Sequence, residues 1–180
     1  IVIVMSFKNI IVKKGRNSDF LIICDHASNN IDEKYGNLGL EKKYINSHRA
    51  FDIGAKNVAY QLSRLLDCNL VMANFSRLII DPNRGLDDLT LIPKLSEGRI
   101  IKGNIEILLE KDDHERKLRV KNYYNPYHEQ IERFIDHALK KNVIPKIISI
   151  HSFTPIWKGK RIIKRYIWSH FSNKKTKNMY

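Results

Sequence analysis

The chain of 180 residues is 43% hydrophobic and 28% charged, and its formal net charge is +13. This length and apolar content predict one folded domain and exclude an intrinsically disordered chain. No apolar run approaches the roughly 20 residues of a membrane-spanning helix, and the apolar start lacks the flanks of a signal peptide, so we expect no membrane association.

The first predicted strand is the apolar segment FLII, which is followed directly by the polar segment CDHASN. Apolar runs that end in chemically capable residues recur as RLIIDPNR at residues 77–84 and KIISIHS at residues 146–152. Continuous apolar strands of this length are typical of a sheet that is covered on both faces. The two cysteines, Cys24 and Cys68, lie in apolar stretches without a disulfide or metal-binding pattern, which predicts a reducing, cytoplasmic location.

Amphipathic helices are predicted between these strands. In residues 48–66 the apolar side chains recur at spacings of four and three, as expected for one buried helical face: Phe51, Ala55, Val58, Leu62 and Leu65. A further strand is predicted at residues 69–73, and residues 106–124 are expected to be helical. Asn125 and Pro126 are the predicted N-cap and first position of another helix, whose apolar stripe consists of Tyr127, Ile131, Phe134 and Ala138.

Strands that alternate with helices predict an α/β fold with crossover connections. Parallel strands in such folds place their ligands beyond their carboxyl ends. If the three apolar runs are parallel neighbours, His26, His151 and residues 81–84 all emerge at one edge of the sheet. We therefore expect these residues to share a cleft.

His26 and His151 are candidate metal ligands, because a neutral imidazole is the commonest protein ligand for zinc. The alternative is that both are turn residues that hydrogen-bond to the backbone. A metal requires a third ligand, and spacing alone does not choose among four candidates: Asp52, Asn29, His48 and Asp25. His48 and Asp52 stand four residues apart on one face of the predicted helix, either as a ligand with its carboxylate or as a capped surface turn.

Arg77 and Arg84 flank the second apolar run, with Asn83 beside Arg84. A guanidinium group forms two parallel, charge-assisted hydrogen bonds with a carboxylate. These three residues therefore predict an anion pocket, whereas the alternative is a solvated loop in which Asp81 pairs with an arginine. Ser152 follows His151 directly, and adjacent residues on a strand point to opposite faces, which argues against a serine nucleophile.

The carboxyl end carries most of the positive charge, since residues 158–180 contain eight lysines and arginines and no acid. Such residues interleaved with aromatic side chains can bind nucleic acid, which is the alternative function for the chain. A solvated terminus is the more common explanation, so we do not expect nucleic acid as the partner.

The segments CDHASN, HRAFDIGA, SRLIIDPNR, NPYHEQI and ISIHSFTPIWKGK occur in an order that resembles the N-formylglutamate amidohydrolase family, from about residue 20 to about residue 160. The resemblance implies a three-layer αβα fold with a mixed or mostly parallel sheet, similar to the zinc carboxypeptidases. It also implies a Zn²⁺ cofactor and a small-molecule partner, an N-acyl amino acid.

The resemblance implies His26 and His151 as zinc ligands. The position three after His26, where carboxypeptidases have a glutamate ligand, is Asn29, so Asp52 is the expected carboxylate ligand. Asn83 and Arg84 resemble the carboxypeptidase pair that binds the substrate carboxylate, and Arg77 is expected to assist them. The implied reaction is hydrolysis of N-formyl-L-glutamate, or of a similar N-acyl amino acid, to formate and glutamate.

The resemblance ends near residue 160, where members of the family continue with further sheet. We therefore expect an incomplete amidohydrolase domain at residues 5–160, with Met5 as a candidate start, and a basic, aberrant tail at residues 161–180. No glutamate follows Glu132, so the late glutamate that acts as general base in carboxypeptidase-like sites is expected to be absent. A fragment without activity is thus a further alternative.

Overall fold

The computed structural model describes residues 4–108, 113–153, 156–157 and 160–161. Its central sheet has five strands in the order β1-β2-β4-β3-β7. These strands are β1 (Val4–Phe7), β2 (Ile10–Lys13), β3 (Asn17–Cys24), β4 (Cys68–Ala73) and β7 (Lys146–Ser149). Strand β3 is parallel to both β4 and β7, whereas β2 is antiparallel to β1 and β4. The sheet is therefore mixed.

The central strands are buried on both faces, as the continuous apolar runs predict. Successive residues of a strand point to opposite faces, and in β3 Leu21 contributes to one core cluster while Ile22 contributes to the other. All six residues of β4 are buried, which confirms the predicted strand at residues 69–73.

The helices cover the two faces of the sheet. Helix α2 (Ala55–Leu65) packs on β3 and β4 from one side, where Ala55 and Ala59 join the core cluster of Ile22. Helix α5 (Asn125–Leu139) packs on the same strands from the other side, where Tyr127 joins the cluster of Leu21. This arrangement confirms the predicted three-layer αβα fold.

The remaining elements are short. They are a 3₁₀ helix (Glu33–Tyr35), α1 (Lys42–Ile45), α3 (Lys102–Leu108), α4 (His114–Arg119) and two hairpins, β5 (Leu95–Ser96) with β6 (Arg99–Ile100) and β8 (Ile156–Trp157) with β9 (Lys160–Arg161). In the described part of the chain, no helix has the length and apolarity needed to span a membrane. The predicted basic tail lies outside the described residues from residue 162 onward.

The helix predicted at residues 48–66 begins later, at Ala55. Residues 47–54 form turns instead, and Gly54 precedes the helix with φ at +84°, a conformation that glycine adopts readily. The predicted buried stripe is also wrong in part, because Val58 and Leu65 are 56% and 82% exposed. The buried face consists of small residues, Ala55, Ala59 and Ser63, which let the helix lie close to the sheet.

The run RLII at residues 77–80 is not a strand, which corrects the prediction of three parallel neighbours. It forms a buried turn, in which the amide of Ile79 donates to the carbonyl of Ser76. Leu78, Ile79 and Ile80 are all buried in the same cluster as Leu21. Burial explains the apolar run, and the third parallel strand of the sheet is β4.

Asn125 is the first helical residue of α5, and the N-cap position is occupied by Tyr124. The chain passes from α4 through one π-helical turn (Val120–Tyr124) directly into α5, so the capping role predicted for Asn125 is wrong. The predicted stripe of α5 faces the protein interior: Tyr127 and Ala138 are buried, and Ile131 and Phe134 pack against the core. Within the stretch predicted as helical at residues 106–124, residues 109–112 lie outside the described ones.

Candidate metal centre

His26, Asp52 and His151 converge at the carboxyl ends of β3 and β7. One potential ligand atom from each residue lies within 4.8 Å of the others. Nδ1 of His151 is 3.0 Å from Oδ2 of Asp52, and Nδ1 of His26 is 3.6 Å from the same oxygen. Both imidazole rings thus present Nδ1 to one carboxylate oxygen.

The backbone explains this convergence. Strands β3 and β7 pair in parallel with Ile23 opposite Ser149, and the amide of Ile150 donates to the carbonyl of Ile23. The segments that follow β3 and β7 therefore leave the sheet side by side. The amide of Asp52 donates to the carbonyl of His26 at 2.9 Å, which fastens the loop before α2 to the end of β3.

The far nitrogen of His26 is held by Asp81. Nε2 of His26 is 2.7 Å from Oδ1 of Asp81, whereas Nδ1 is buried without a hydrogen-bond partner. When Nε2–H donates to a carboxylate, the neutral ring keeps a lone pair on Nδ1, which is the state that a metal ligand requires. Nδ1 of His26 faces the carboxylate of Asp52, so its lone pair is directed to where a metal ion shared by the two residues would bind.

His151 is arranged in the same way. Its Nε2 lies 3.2 Å from Oδ2 of Asp25 and 3.0 Å from Oγ of Ser149. Asp25 is held in turn by the hydroxyls of Tyr127, at 2.6 Å, and Ser149, at 3.1 Å. The hydrogen bonds from His151 and Tyr127 outweigh the effect of burial and lower the pKa of Asp25. Asp25 is therefore an anion that orients His151.

Asp52 lies between the two histidines and Arg77. Its Oδ1 accepts a hydrogen bond from Nη2 of Arg77, and its Oδ2 accepts one from the amide of Ser152 at 3.2 Å. Burial alone raises the pKa of Asp52, but the hydrogen bond with His151, the nearby ring of His26 and the charge of Arg77 outweigh it and hold the pKa well below its usual range. Asp52 is thus ionised, as metal coordination requires.

The pKa values of the two histidines are raised, whereas those of the two aspartates are lowered. Hydrogen bonds with Asp25 and then Asp52 raise the pKa of His151 to about 9 against the effect of burial. For His26, burial lowers the pKa, but the nearby carboxylates of Asp52 and Asp81 prevail and raise it. The surrounding carboxylates therefore favour a positive charge at both imidazoles, either as bound protons or as a metal ion between the rings.

These residues fit a divalent metal ion. Two imidazole nitrogens and one carboxylate oxygen are a donor set found in catalytic zinc sites, which keep a further position open. Ligand atoms about 2 Å from one tetrahedral zinc ion lie about 3.3 Å apart. The two separations from Asp52, 3.0 Å and 3.6 Å, bracket this value.

The other candidates for the third ligand lie elsewhere. The amide group of Asn29 donates to Asn46 and to the carbonyl of Ile45. Nε2 of His48 is 2.8 Å from Oε1 of Glu97, and His48 does not share a helical face with Asp52 because residues 47–54 form turns. Asp25 contacts the far side of His151. Asp52 alone among the four candidates therefore lies between both imidazoles.

The predicted anion-binding residues line a cleft of about 360 Å³ that also contains the three potential ligands. Arg77 is already paired with Asp52, whereas the side chain of Arg84 is 51% exposed, and its ionic partners among the described residues are distant: Asp81 at 3.9 Å and Asp88 at 3.7 Å. The backbone N–H of Asn83 donates to Oδ1 of Asp81. Arg84 is thus the more available of the two guanidinium groups.

Sequence reasoning did not foresee the roles of Asp81 and Asp25 as partners of the two imidazoles. The alternative to the anion pocket paired Asp81 with an arginine; Asp81 does approach Arg84, but its short contact is with His26. For Asp25, the position directly before His26 was the available clue. Glu97, which contacts His48 and Arg49 at the wall of the cleft, carried no such clue.

The fold and the site define an α/β protein with a candidate metal centre at the carboxyl ends of parallel strands. A solved structure, "The crystal structure of gene product Atu2144 from Agrobacterium tumefaciens", resembles it with a TM-score of 0.75 and 36% sequence identity, over 84% of this chain and 59% of that chain. This chain thus spans less than two thirds of the length of that relative. Comparison with curated proteins gave no significant match.

The profile of one family, described as N-formylglutamate amidohydrolase, matches residues 18–166. The chain belongs to this family. The resemblance inferred from the sequence segments is therefore confirmed, and the family is one of hydrolases that act on small molecules.

Proposed function

We propose that the chain is a zinc-dependent amidohydrolase that hydrolyses N-formyl-L-glutamate to formate and glutamate, or a similar N-acyl amino acid to the corresponding carboxylic acid and amino acid. The observation that carries the proposal is the pair of Nδ1 atoms facing Oδ2 of Asp52, one of them buried without a partner, in a member of this family. His26, Asp52 and His151 would hold the ion. Zinc in such a site lowers the pKa of water and polarises a carbonyl group.

The protein residues prepare the site for this chemistry. Asp81 and Asp25 fix the orientation of the two imidazole rings, and Arg77 fixes Asp52 through its second oxygen. Preformed ligands of this kind need little rearrangement when the ion binds.

Arg84 and Asn83 would bind a carboxylate of the substrate, because a guanidinium group and an amide at the wall of the same cleft can together hold a planar anion. Arg77 lines the same cleft and would add positive charge behind Asp52. Binding the carboxylate at this wall orients the amide bond toward the three ligands, which reduces the entropic cost of the reaction.

The test combines metal content with product formation. Purified protein should contain about one zinc ion per chain and release formate from N-formyl-L-glutamate, and both should be lost in His26→Ala and His151→Ala. His137→Ala is the matched control, because His137 is exposed on α5 and should leave both quantities unchanged. Equal zinc content in the wild type and in both ligand variants would overturn the assignment.

A further inference from the structure

Two backbone carbonyls lie between the residues that support the metal ligands. Arg77 contacts Asp52, and Asp81 contacts His26. In the buried turn between Arg77 and Asp81, the carbonyl oxygens of Leu78 and Ile79 face the protein interior. Neither carbonyl is left unpaired. Side chains from two different helices reach them.

Asn104 of α3 is buried completely and uses both of its N–H groups. Nδ2 donates to the carbonyl of Leu78 at 2.8 Å and to the carbonyl of Pro93 at 2.7 Å. Its Oδ1 accepts from Nη1 of Arg119 at 2.8 Å. The side chain of Asn104 thus ties the turn to the segment before β5 and to α4.

Arg119 of α4 is likewise 0% exposed. The same Nη1 donates to the carbonyl of Ile79 at 2.7 Å, Nε lies 3.1 Å from Oε1 of Glu115, and the guanidinium group lies 4.3 Å from the ring centre of Tyr35. A buried arginine is expensive to desolvate, and an apolar residue often fills such a position with equal stability. The hydrogen bonds of Arg119 therefore favour a role in fixing geometry.

We propose that Asn104 and Arg119 are positioning residues for the metal centre. They hold the carbonyls of Leu78 and Ile79, and so they set where Arg77 and Asp81 meet Asp52 and His26. Metal ligands must be held within about 0.5 Å of their productive positions. A turn released from Asn104 and Arg119 would loosen both supporting contacts at once, although neither residue touches a ligand. This inference rests on the proposed zinc site.

The test compares Arg119→Met and Asn104→Leu with Leu70→Ala. Leu70 is buried in β4 within the other core cluster, so its truncation destabilises the fold without contacting the turn. Three quantities are measured: the zinc dissociation constant by chelator competition, the melting temperature, and hydrogen exchange of residues 77–84 in chelator-treated protein. Arg119→Lys serves as a second variant, because it keeps the charge but cannot form the same fork of hydrogen bonds.

The expected result is a zinc dissociation constant about tenfold higher in the Asn104 and Arg119 variants than in Leu70→Ala at a similar loss of melting temperature, with faster exchange confined to residues 77–84. Should Arg119→Met fail to fold, Arg119→Lys and Asn104→Leu decide the outcome. Equal zinc affinity and unchanged exchange in variants with a lowered melting temperature would leave a purely structural role and overturn the inference. Wild-type protein that binds no zinc would overturn the proposed function, and the exchange data would still test the hold on the turn.

Discussion

Removal of the metal should make the stability of the protein depend strongly on pH above neutrality. The raised pKa of His151, about 9 instead of 6.5, means that the folded chain binds a proton at this site more tightly than the unfolded chain does. Asp25 and Asp52 provide this affinity because their carboxylates accept hydrogen bonds from Nε2 and Nδ1 of His151. In the proposed complex, zinc would occupy Nδ1 of His151, so the effect belongs to the chelator-treated protein.

The size of the effect follows from the two pKa values. A pKa of about 9 in place of 6.5 corresponds to about 3 kcal/mol of stability. This contribution is fully present below the unfolded pKa of 6.5 and is lost as the pH rises toward 9. The pKa of His26 is also raised, so its contribution has the same sign. At the acid side, the lowered pKa values of Asp25 and Asp52 stabilise the fold above pH 4, and that stabilisation is lost as the pH falls further.

Urea unfolding followed by circular dichroism, at several pH values from about 6 to 9.5 with excess chelator, measures this dependence. Stability should fall by about 3 kcal/mol across the series, and the slope should be much smaller in the zinc-loaded protein and in His151→Gln. His137→Ala, exposed on α5, should retain the wild-type slope. Stability that is constant or rises between pH 6.5 and 9 in chelator-treated wild type would refute the reasoning.

Three substitutions probe the surroundings of the ligands. Arg77→Met should lower the free energy of unfolding by about 3–5 kcal/mol in urea titrations, because the buried carboxylate of Asp52 loses the guanidinium group that is paired with its Oδ1. Arg77→Lys should cost less. Arg84→Met should change the free energy of unfolding by less than about 0.5 kcal/mol, since Arg84 is half exposed. It should raise KM for N-formyl-L-glutamate at least tenfold, because the substrate carboxylate loses its guanidinium partner. An unchanged KM would show that Arg84 does not bind the substrate. Asp81→Asn should weaken zinc binding about 10–100-fold in chelator competition, because Nε2 of His26 loses its carboxylate partner. If this variant binds zinc as tightly as the wild type, Asp81 does not support His26 as a ligand.

The layered fold was predictable because both faces of the central strands are buried. The run FLII in β3 is apolar without alternation, and so is β4 apart from Asn69, which is the pattern of a strand between two layers of helices. The same pattern misled at residues 77–80, since a buried turn excludes water from its side chains just as a buried strand does. Periodicity reports burial, and only hydrogen bonds between distant segments distinguish the two structures.

The start of α2 shows a second limit of sequence patterns. Spacing placed His48 and Asp52 on one helical face, whereas the amide of Asp52 donates to the carbonyl of His26 and Gly54 changes the direction of the chain before Ala55. That contact joins segments 26 residues apart, and no local propensity encodes it. The family resemblance, rather than spacing, singled out Asp52.

The charges of the candidate centre predict that protons and a divalent ion compete for it. Among the described residues in the closest contacts, Asp25, Asp52 and Asp81 carry three negative charges and Arg77 carries one positive charge. The remaining charge of −2 is balanced either by two protonated imidazoles or by one Zn²⁺ bound to two neutral ones. Zinc binding near pH 6 should therefore release close to two protons, and fewer as the pH rises toward 9. Calorimetry in buffers of different ionisation enthalpy counts these protons, and binding without proton release at pH 6 would show that the ion does not displace protons from His26 and His151.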